Sequence, residues 1–273
     1  MKRYGSVGII PARFGSSRLP GKPLKRINGK TIVERVYERV RAVPGLDHVL
    51  VATDDGRIAD EVRRFGGEAV MTRADHVSGT DRVAEAAADF DDDTIVVNVQ
   101  GDEPMIEPGV VRQALDAAEQ RDADMVTIMT PLRDSGAIAD PNHVKVVTDS
   151  SGFALYFSRS PIPSSGNSFL HLGLYAYPAR FLRTFQTLKP TPLEQAERLE
   201  QLRVLENGFR IRVVEVDSQS WGIDTPADLE AFELLVRQAE GPAGASGAGS
   251  GNPPHDSRGR QRRPVDMISV NTP

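Results

Sequence analysis

A chain of 273 residues, 39% of them hydrophobic, suits one large α/β domain or two small ones and carries ample material for a core, which excludes disorder as its general state. It has no cysteine, so disulfides, thiolate metal sites and a Cys nucleophile are ruled out. The net charge of −5 argues against general nucleic-acid binding. No apolar run is long enough for a membrane span or, at the amino terminus, a signal-peptide core, so a cytoplasmic protein is expected.

Val7, Ile9 and Ile10 predict a buried parallel strand. The residues after it cannot extend it, because Pro11 removes a ladder donor and Gly15, Ser16, Ser17, Pro20 and Gly21 are turn formers. This loop carries Arg13, Arg18 and Lys22 at the carboxyl end of the strand, the edge where open α/β sheets bind ligands. Small residues let backbone N–H groups face a phosphate while the cations neutralise its oxygens, so the stretch reads as a triphosphate cradle. It is not a Walker A loop: five residues rather than four separate Gly15 from Gly21, and Pro23 stands where Ser or Thr would hold magnesium. The bland alternative is a solvated basic loop.

Apolar Ile32, Val33, Val36, Tyr37 and Val40 predict a core-facing helix between Lys30 and Val43, ended by Pro44 and Gly45. His48 to Ala52 reads as a second strand and Arg57 to Phe65 as a second helix, with Asp54 and Asp55 as capping residues. This alternation predicts a parallel sheet with right-handed crossovers. Met71 to Arg82, MTRADHVSGTDR, is expected to be a polar loop before a helix from Val83 to Phe90. Its small hydroxyl residues are suited to reading a base or ribose, while His76 is expected to be structural.

Thr94 to Gln100 is the clearest internal strand, and it ends in Gly101-Asp102-Glu103-Pro104. A carboxylate there is well placed to hold Mg²⁺ against a bound phosphate, since magnesium takes one or two carboxylates plus substrate oxygens and water; the plain alternative is an Asp turn. Polar Asn98 and Gln100 inside a buried strand need partners.

Pro108 to Gln120 is the next helix and Met125 to Leu132 the next strand, succeeded by a hairpin of Val144 to Thr148 with Phe153 to Phe157. After Arg159 and the Pro161-Ile162-Pro163 loop, period two puts His171, Gly173 and Tyr175 on one face of the strand His171 to Tyr177. Helices are expected over Ala179 to Phe185 and Leu193 to Leu205, the latter carrying Glu200, Gln201 and Arg203. Residues from about 143 to 210 thus look like an insertion for a second substrate, a dimer surface, or both. Arg210 to Val216 reads as a strand and Ala227 to Gln238 as the final helix. Thr225 and Asp228 form a capping box there, which leaves Asp224 without a capping task. The Gly-, Pro- and Ser-rich stretch from 241 to 273, with scattered Arg, is expected to be a disordered tail after a folded unit of residues 1–240.

In this order, PARFGSSRLPGKPL, VATDD, MTRADHVSGTDR, VNVQGDEP, HVKVV, ALYFSRSPIP, HLGLYAY, LEQLRVLENG and GIDTPADLE closely resemble 3-deoxy-manno-octulosonate (Kdo) cytidylyltransferases, also called CMP-Kdo synthetases. The resemblance covers roughly residues 5 to 235. It implies a Rossmann-like nucleotidyltransferase fold with a mixed, mostly parallel sheet flanked by helices, a homodimer, and transfer of the cytidylyl group of CTP to Kdo with Mg²⁺. Pyrophosphate is released, and the product feeds lipopolysaccharide synthesis. Carried over by motif, Arg13, Arg18 and Lys22 should hold the triphosphate, and Arg73, Ser78 and Gln100 should lie near the cytidine. Asp102 and Asp224 resemble the metal ligands, acting with Lys22 as the catalytic set. Arg159, His171, Tyr175, Glu200 and Gln201 resemble the sugar-acid site, with Arg159 pairing with the sugar carboxylate. The chain departs from the family at Ser164 to Leu170, where relatives have a longer loop. The alternatives are a cytidylyltransferase for an 8-amino ulosonic or sialic-acid-type sugar, or a non-catalytic nucleotide-binding protein.

Overall fold

The computed structural model describes residues 4–15, 18–76, 78–218 and 222–240, so the expected tail lies outside the described residues. The predicted apolar runs assemble into one nine-stranded sheet. Its parallel half is built from β1 (Ser6–Ala12), β4 (His48–Thr53), β5 (Glu68–Met71) and β6 (Ile95–Asn98), numbered with a two-strand ladder of β2 (Arg26–Ile27) and β3 (Lys30–Thr31) inside the first crossover. The other half holds β7 (Met125–Leu132), β8 (Lys145–Thr148), β9 (Ala154–Ser158), β10 (Ser168–Pro178) and β11 (Ile211–Glu215). The main order is β11-β7-β10-β6-β1-β4-β5, with β8 and β9 attached through β10.

Strand β1 is central and buried on both faces, which is why its apolar residues are nearly continuous. Its alternation splits the core: Ile10 joins a cluster with α1 (Ile32–Arg41), α2 (Gly56–Arg64), α4 (Pro108–Glu119) and α9 (Pro226–Glu240). Val7 and Ile9 join a second cluster with α3 (Gly79–Ala86), α6 (Ala179–Thr187) and α8 (Gln201–Glu206). The remaining helices, α5 (Ser135–Ala139) and α7 (Pro192–Glu197), are short. No helix among the described residues is long and apolar enough to cross a membrane.

Four expectations change. β10 runs antiparallel between β6 and β7, so part of the expected insertion is a central strand of the sheet, and it begins at Ser168 inside the shortened loop. The helix expected from Val83 begins at Gly79 and ends at Ala86. Ser78 caps it in a box with Asp81, which turns the end of the polar loop into a helical first turn. The single helix expected over Leu193 to Leu205 is two: α7 stops at Arg198, whose left-handed backbone (φ 56°) turns the chain so that Leu199 enters the core before α8 starts. Of the two capping aspartates, Asp55 caps α2, while Asp54 accepts from the buried Arg82 at 3.0 Å.

Candidate active site

The loop after β1 folds back on itself because Gly21 takes a left-handed conformation (φ 67°) and donates its N–H to the Phe14 carbonyl at 3.1 Å. A Cβ at Gly21 would stand 3.1 Å from the Phe14 ring, which is itself covered by the Arg57 guanidinium at 3.5 Å. The next residue, Lys22, opens a single 3₁₀ turn and is buried to 9% exposure, with its ammonium aimed at the sheet edge.

Two acidic residues distant in sequence meet that ammonium. Lys22 Nζ donates to Asp102 Oδ2 at 2.7 Å and to Asp224 Oδ1 at 3.0 Å, and the Arg18 guanidinium reaches Asp224 Oδ2 at 3.0 Å. The backbone dictates the convergence. Val99 N–H continues the β6 ladder to the Ile9 carbonyl at 3.1 Å, and Gly101 then passes so close to β1 that a Cβ would lie 2.6 Å from the Pro11 carbonyl oxygen. Asp102 therefore emerges beside the cradle. Its own carbonyl accepts the Ile223 N–H at 2.9 Å, which delivers Asp224 to the same point. Asp228 takes the capping work, accepting from the N–H groups of Asp224 and Thr225 at 3.0 and 2.8 Å, so the Asp224 carboxylate is left to face the cations.

These groups line a cavity of about 310 Å³ with Arg13, His76, Ser78, Arg82 and Gln100. Ser78 is engaged in capping, its hydroxyl donating to Asp81 Oδ2 at 2.9 Å. Gln100 donates from Nε2 to Asn98 Oδ1 at 3.4 Å, which supplies the partner that Asn98 requires on its oxygen; Asn98 Nδ2 has none. Arg73, expected near the cytidine, does not line this cavity. Its side chain is 70% exposed and pairs with Asp75 at 3.4 Å, because the turn before α3 carries it outward. The arginine on the cavity wall is Arg82, buried and held by Asp54 and Thr72. His76, expected to be structural, also lines the wall while bonded to Glu85.

A larger cavity of about 810 Å³ adjoins the first, sharing Arg18, Gln100, Asp102 and Asp224 and lined further by Glu103, His171, Tyr175, Glu200 and Gln201. Thr127 donates its hydroxyl to the Leu174 carbonyl at 2.8 Å, which leaves its oxygen to accept from His171 Nε2 at 2.9 Å. Burial without an anionic partner pushes the His171 pKa down to about 3, so the ring is neutral. Glu200 accepts from the Thr80 hydroxyl, and burial raises its pKa. Glu103 is pushed up to about 8 by burial beside the Asp102 charge and carries a proton at neutral pH. Tyr175 is likewise held protonated by burial.

Arg159, expected to meet the sugar carboxylate, stands outside this cavity. Its Nε and one terminal nitrogen donate to the carbonyls of Glu197 and Pro141, both at 2.9 Å, and it lines a separate hollow of about 520 Å³. The cause is Lys145 of the HVKVV motif. Its fully buried ammonium donates to the carbonyls of Asp140, His143 and Arg159 and ties the chain after β9 down beside the 140–143 turn.

Among the described residues no cluster of three or more His, Asp or Glu side chains is arranged to hold a metal. Asp102 and Asp224 supply two carboxylates that meet at the Lys22 ammonium, with Arg18 beside them. That donor set fits magnesium in its substrate-assisted form, in which Asp102 and Asp224 would hold the ion and phosphate oxygens and water would supply its remaining ligands.

The comparisons accord with this geometry. A family model described as Cytidylyltransferase matches residues 7–212. The chain is 53% identical over 244 residues to a 3-deoxy-manno-octulosonate cytidylyltransferase of Syntrophotalea carbinolica, covering 84% of this chain and 97% of that one. It is 49% identical over 238 residues to the protein of the same name from Solibacter usitatus, covering 85% and 94%. Among solved structures, a CMP:2-keto-3-deoxy-manno-octonic acid synthetase complexed with CTP superposes with a TM-score of 0.83 at 44% identity, covering 86% of this chain and all of that one. A 4-diphosphocytidyl-2C-methyl-D-erythritol synthase at TM-score 0.61 and 14% identity shares the fold. The chain belongs to the cytidylyltransferase family and, within it, to the 3-deoxy-manno-octulosonate cytidylyltransferases.

Proposed function

We propose that this chain transfers the cytidylyl group of CTP to the anomeric hydroxyl of Kdo, releasing pyrophosphate and supplying CMP-Kdo for lipopolysaccharide assembly. The observation that carries the reading is the meeting of Lys22, Asp102, Asp224 and Arg18 at the junction of two cavities, one suited to a nucleotide and one to a sugar acid. Arg13, Arg18 and Lys22 neutralise the triphosphate, while the walls hold the two substrates so that the sugar oxygen approaches the α-phosphorus in line. As the new P–O bond forms, the bond to the pyrophosphate oxygen breaks and the hydroxyl proton is released. Phosphoryl chemistry of this kind needs little covalent help from the protein, and positioning with charge neutralisation supplies most of the acceleration.

Asp102 and Asp224 would hold Mg²⁺, which when bound supplies positive charge at the reacting phosphate. Lys22 occupies the space between the two carboxylates and keeps them together. The homodimer belongs to the same proposal. It is supported by Leu155, 62% exposed on β9, whose one strand partner among the described residues is β8. The test is pyrophosphate release from CTP across Kdo, an 8-amino ulosonic acid and a sialic acid. Kdo is expected to give the highest kcat/KM; no release with any of them, or a sialic acid turning over faster, would overturn the reading.

A further inference from the structure

We propose that Tyr177 is a positioning residue for the sugar-acid cavity, the middle link of a buried hydrogen-bond chain that runs from Gln100 through Asn98, Tyr177 and Thr80 to Glu200. This assignment deepens the function proposed above and rests on it. The two ends of the chain stand on the cavity walls: Gln100 lines both cavities and Glu200 the larger one. The end links are made. Gln100 Nε2 donates to Asn98 Oδ1 at 3.4 Å, and the Thr80 hydroxyl donates to Glu200 Oε1. Between them lie the Asn98 amide nitrogen and the Tyr177 hydroxyl, both buried and both without a hydrogen-bond partner among the described residues.

The sheet brings these two leftover atoms to one place. Asn98 pairs with Tyr175 across the antiparallel β6–β10 ladder, so Tyr177 is its diagonal neighbour on the same face, within reach of a long side chain. The Tyr177 hydroxyl, held protonated by burial, faces the Asn98 amide and the hydroxyl of Thr80 in the first turn of α3. Each group supplies what the next one lacks. Asn98 Nδ2 has an N–H to give, the phenol oxygen accepts it and donates its own hydrogen to Thr80 Oγ1, and Thr80 has already turned its hydrogen to Glu200. Every donor then points toward the Glu200 carboxylate, an arrangement in which successive bonds polarise one another. Packing alone does not call for the hydroxyl. The ring is buried in the apolar cluster below the sheet, with the Phe181 ring 6.4 Å away, and phenylalanine would fill that space with no polar atom to desolvate. A hydroxyl kept there costs stability unless it is bonded, and the partners within its reach lead to Glu200.

The test compares wild type, Tyr177→Phe, Thr80→Val and the double variant in urea unfolding and in pyrophosphate-release kinetics. Tyr177→Phe removes one oxygen and keeps the ring. It should lower the urea midpoint, raise KM for Kdo about 5-fold, the size of one hydrogen bond, and leave kcat and KM for CTP within about twofold, because Asn98 still holds Gln100. Thr80→Val should raise KM for Kdo at least as much, and the double variant should be no worse than Thr80→Val alone. A urea midpoint that Tyr177→Phe leaves unchanged or raises would show an unbonded hydroxyl and overturn the assignment. So would a rise in KM for Kdo of less than about threefold, equal losses for Kdo and CTP, or penalties that multiply in the double variant. If the wild-type protein releases no pyrophosphate with any sugar acid, the functional reading itself falls, while the urea midpoints of the same variants, additive or not, still report whether the chain exists.

Discussion

Replacing Lys22 by Met keeps most of the stem volume and removes only the ammonium, so it isolates the charge that bridges Asp102 and Asp224. The bond to Asp102 is short, 2.7 Å, and its donor is 11% exposed, so it contributes near the lower end of the range for charged hydrogen bonds, about 1.5 kcal/mol. Asp224 is 47% exposed, and solvent screening cuts its share to roughly 0.5 kcal/mol. Removing the ammonium also leaves two carboxylates facing each other, and a loss of about 2 kcal/mol is expected without nucleotide or metal. In a protein of this size that lowers Tm by roughly 4–8 °C. Two carboxylates freed of their lysine should accept a divalent ion more readily, so excess Mg²⁺ should raise the melting temperature of Lys22→Met more than that of wild type. kcat/KM for CTP should fall at least about 10-fold, the low end of one charge-assisted phosphate contact. Scanning calorimetry with and without Mg²⁺, together with pyrophosphate-release kinetics, checks each step. A Tm within about 1 °C of wild type together with unchanged CTP kinetics would refute the bridging role.

Gly101→Ala forces a methyl group to within 2.6 Å of the Pro11 carbonyl oxygen, and relief requires β1 and β6 to part at the end where Asp102 emerges. A loss of about 1–3 kcal/mol in chemical denaturation and a marked fall in kcat are expected, and an unaffected variant would show that the strand ends adjust freely. The pH dependence of stability should carry a His171 signature. Its folded pKa of about 3 lies below the unfolded value, so the unfolded chain binds the proton first as pH falls. Its contribution is complete above about pH 6.5 and is lost at up to about 1.4 kcal/mol per unit below that. Glu103 and Glu200, whose pKa values are raised, act in the opposite sense, so the measurement is the difference in urea midpoints between wild type and His171→Gln at pH 7, 6, 5 and 4. A constant difference across that series would mean that His171 titrates normally.

The parallel half of the fold was legible because each signal was local. Val7, Ile9 and Ile10 could only be a doubly buried strand, and the turn residues after it marked where the strand stops and the cradle begins. Asp224 could be singled out because Thr225 and Asp228 already satisfied the helix start, and the structure leaves its carboxylate turned to the cations. What escaped the sequence depends on tertiary anchoring. Nothing in the string separates Arg73 from Arg82: they are exchanged because the Ser78 cap starts the helix early, which rotates Arg82 inward to Asp54. The break at Arg198 is equally invisible, since Leu193 to Leu205 has the composition of one helix. Only the demand of Leu199 for the core, set against the Glu194–Arg203 pair, overrides helical propensity there. Arg159 was given an anion contact by its motif, yet it stands outside the larger cavity, where Lys145 takes its carbonyl and the Glu197 and Pro141 carbonyls take its guanidinium. A motif fixes which residues are near one another in the chain; which of them keeps an unspent charge is decided by the backbone carbonyls around it.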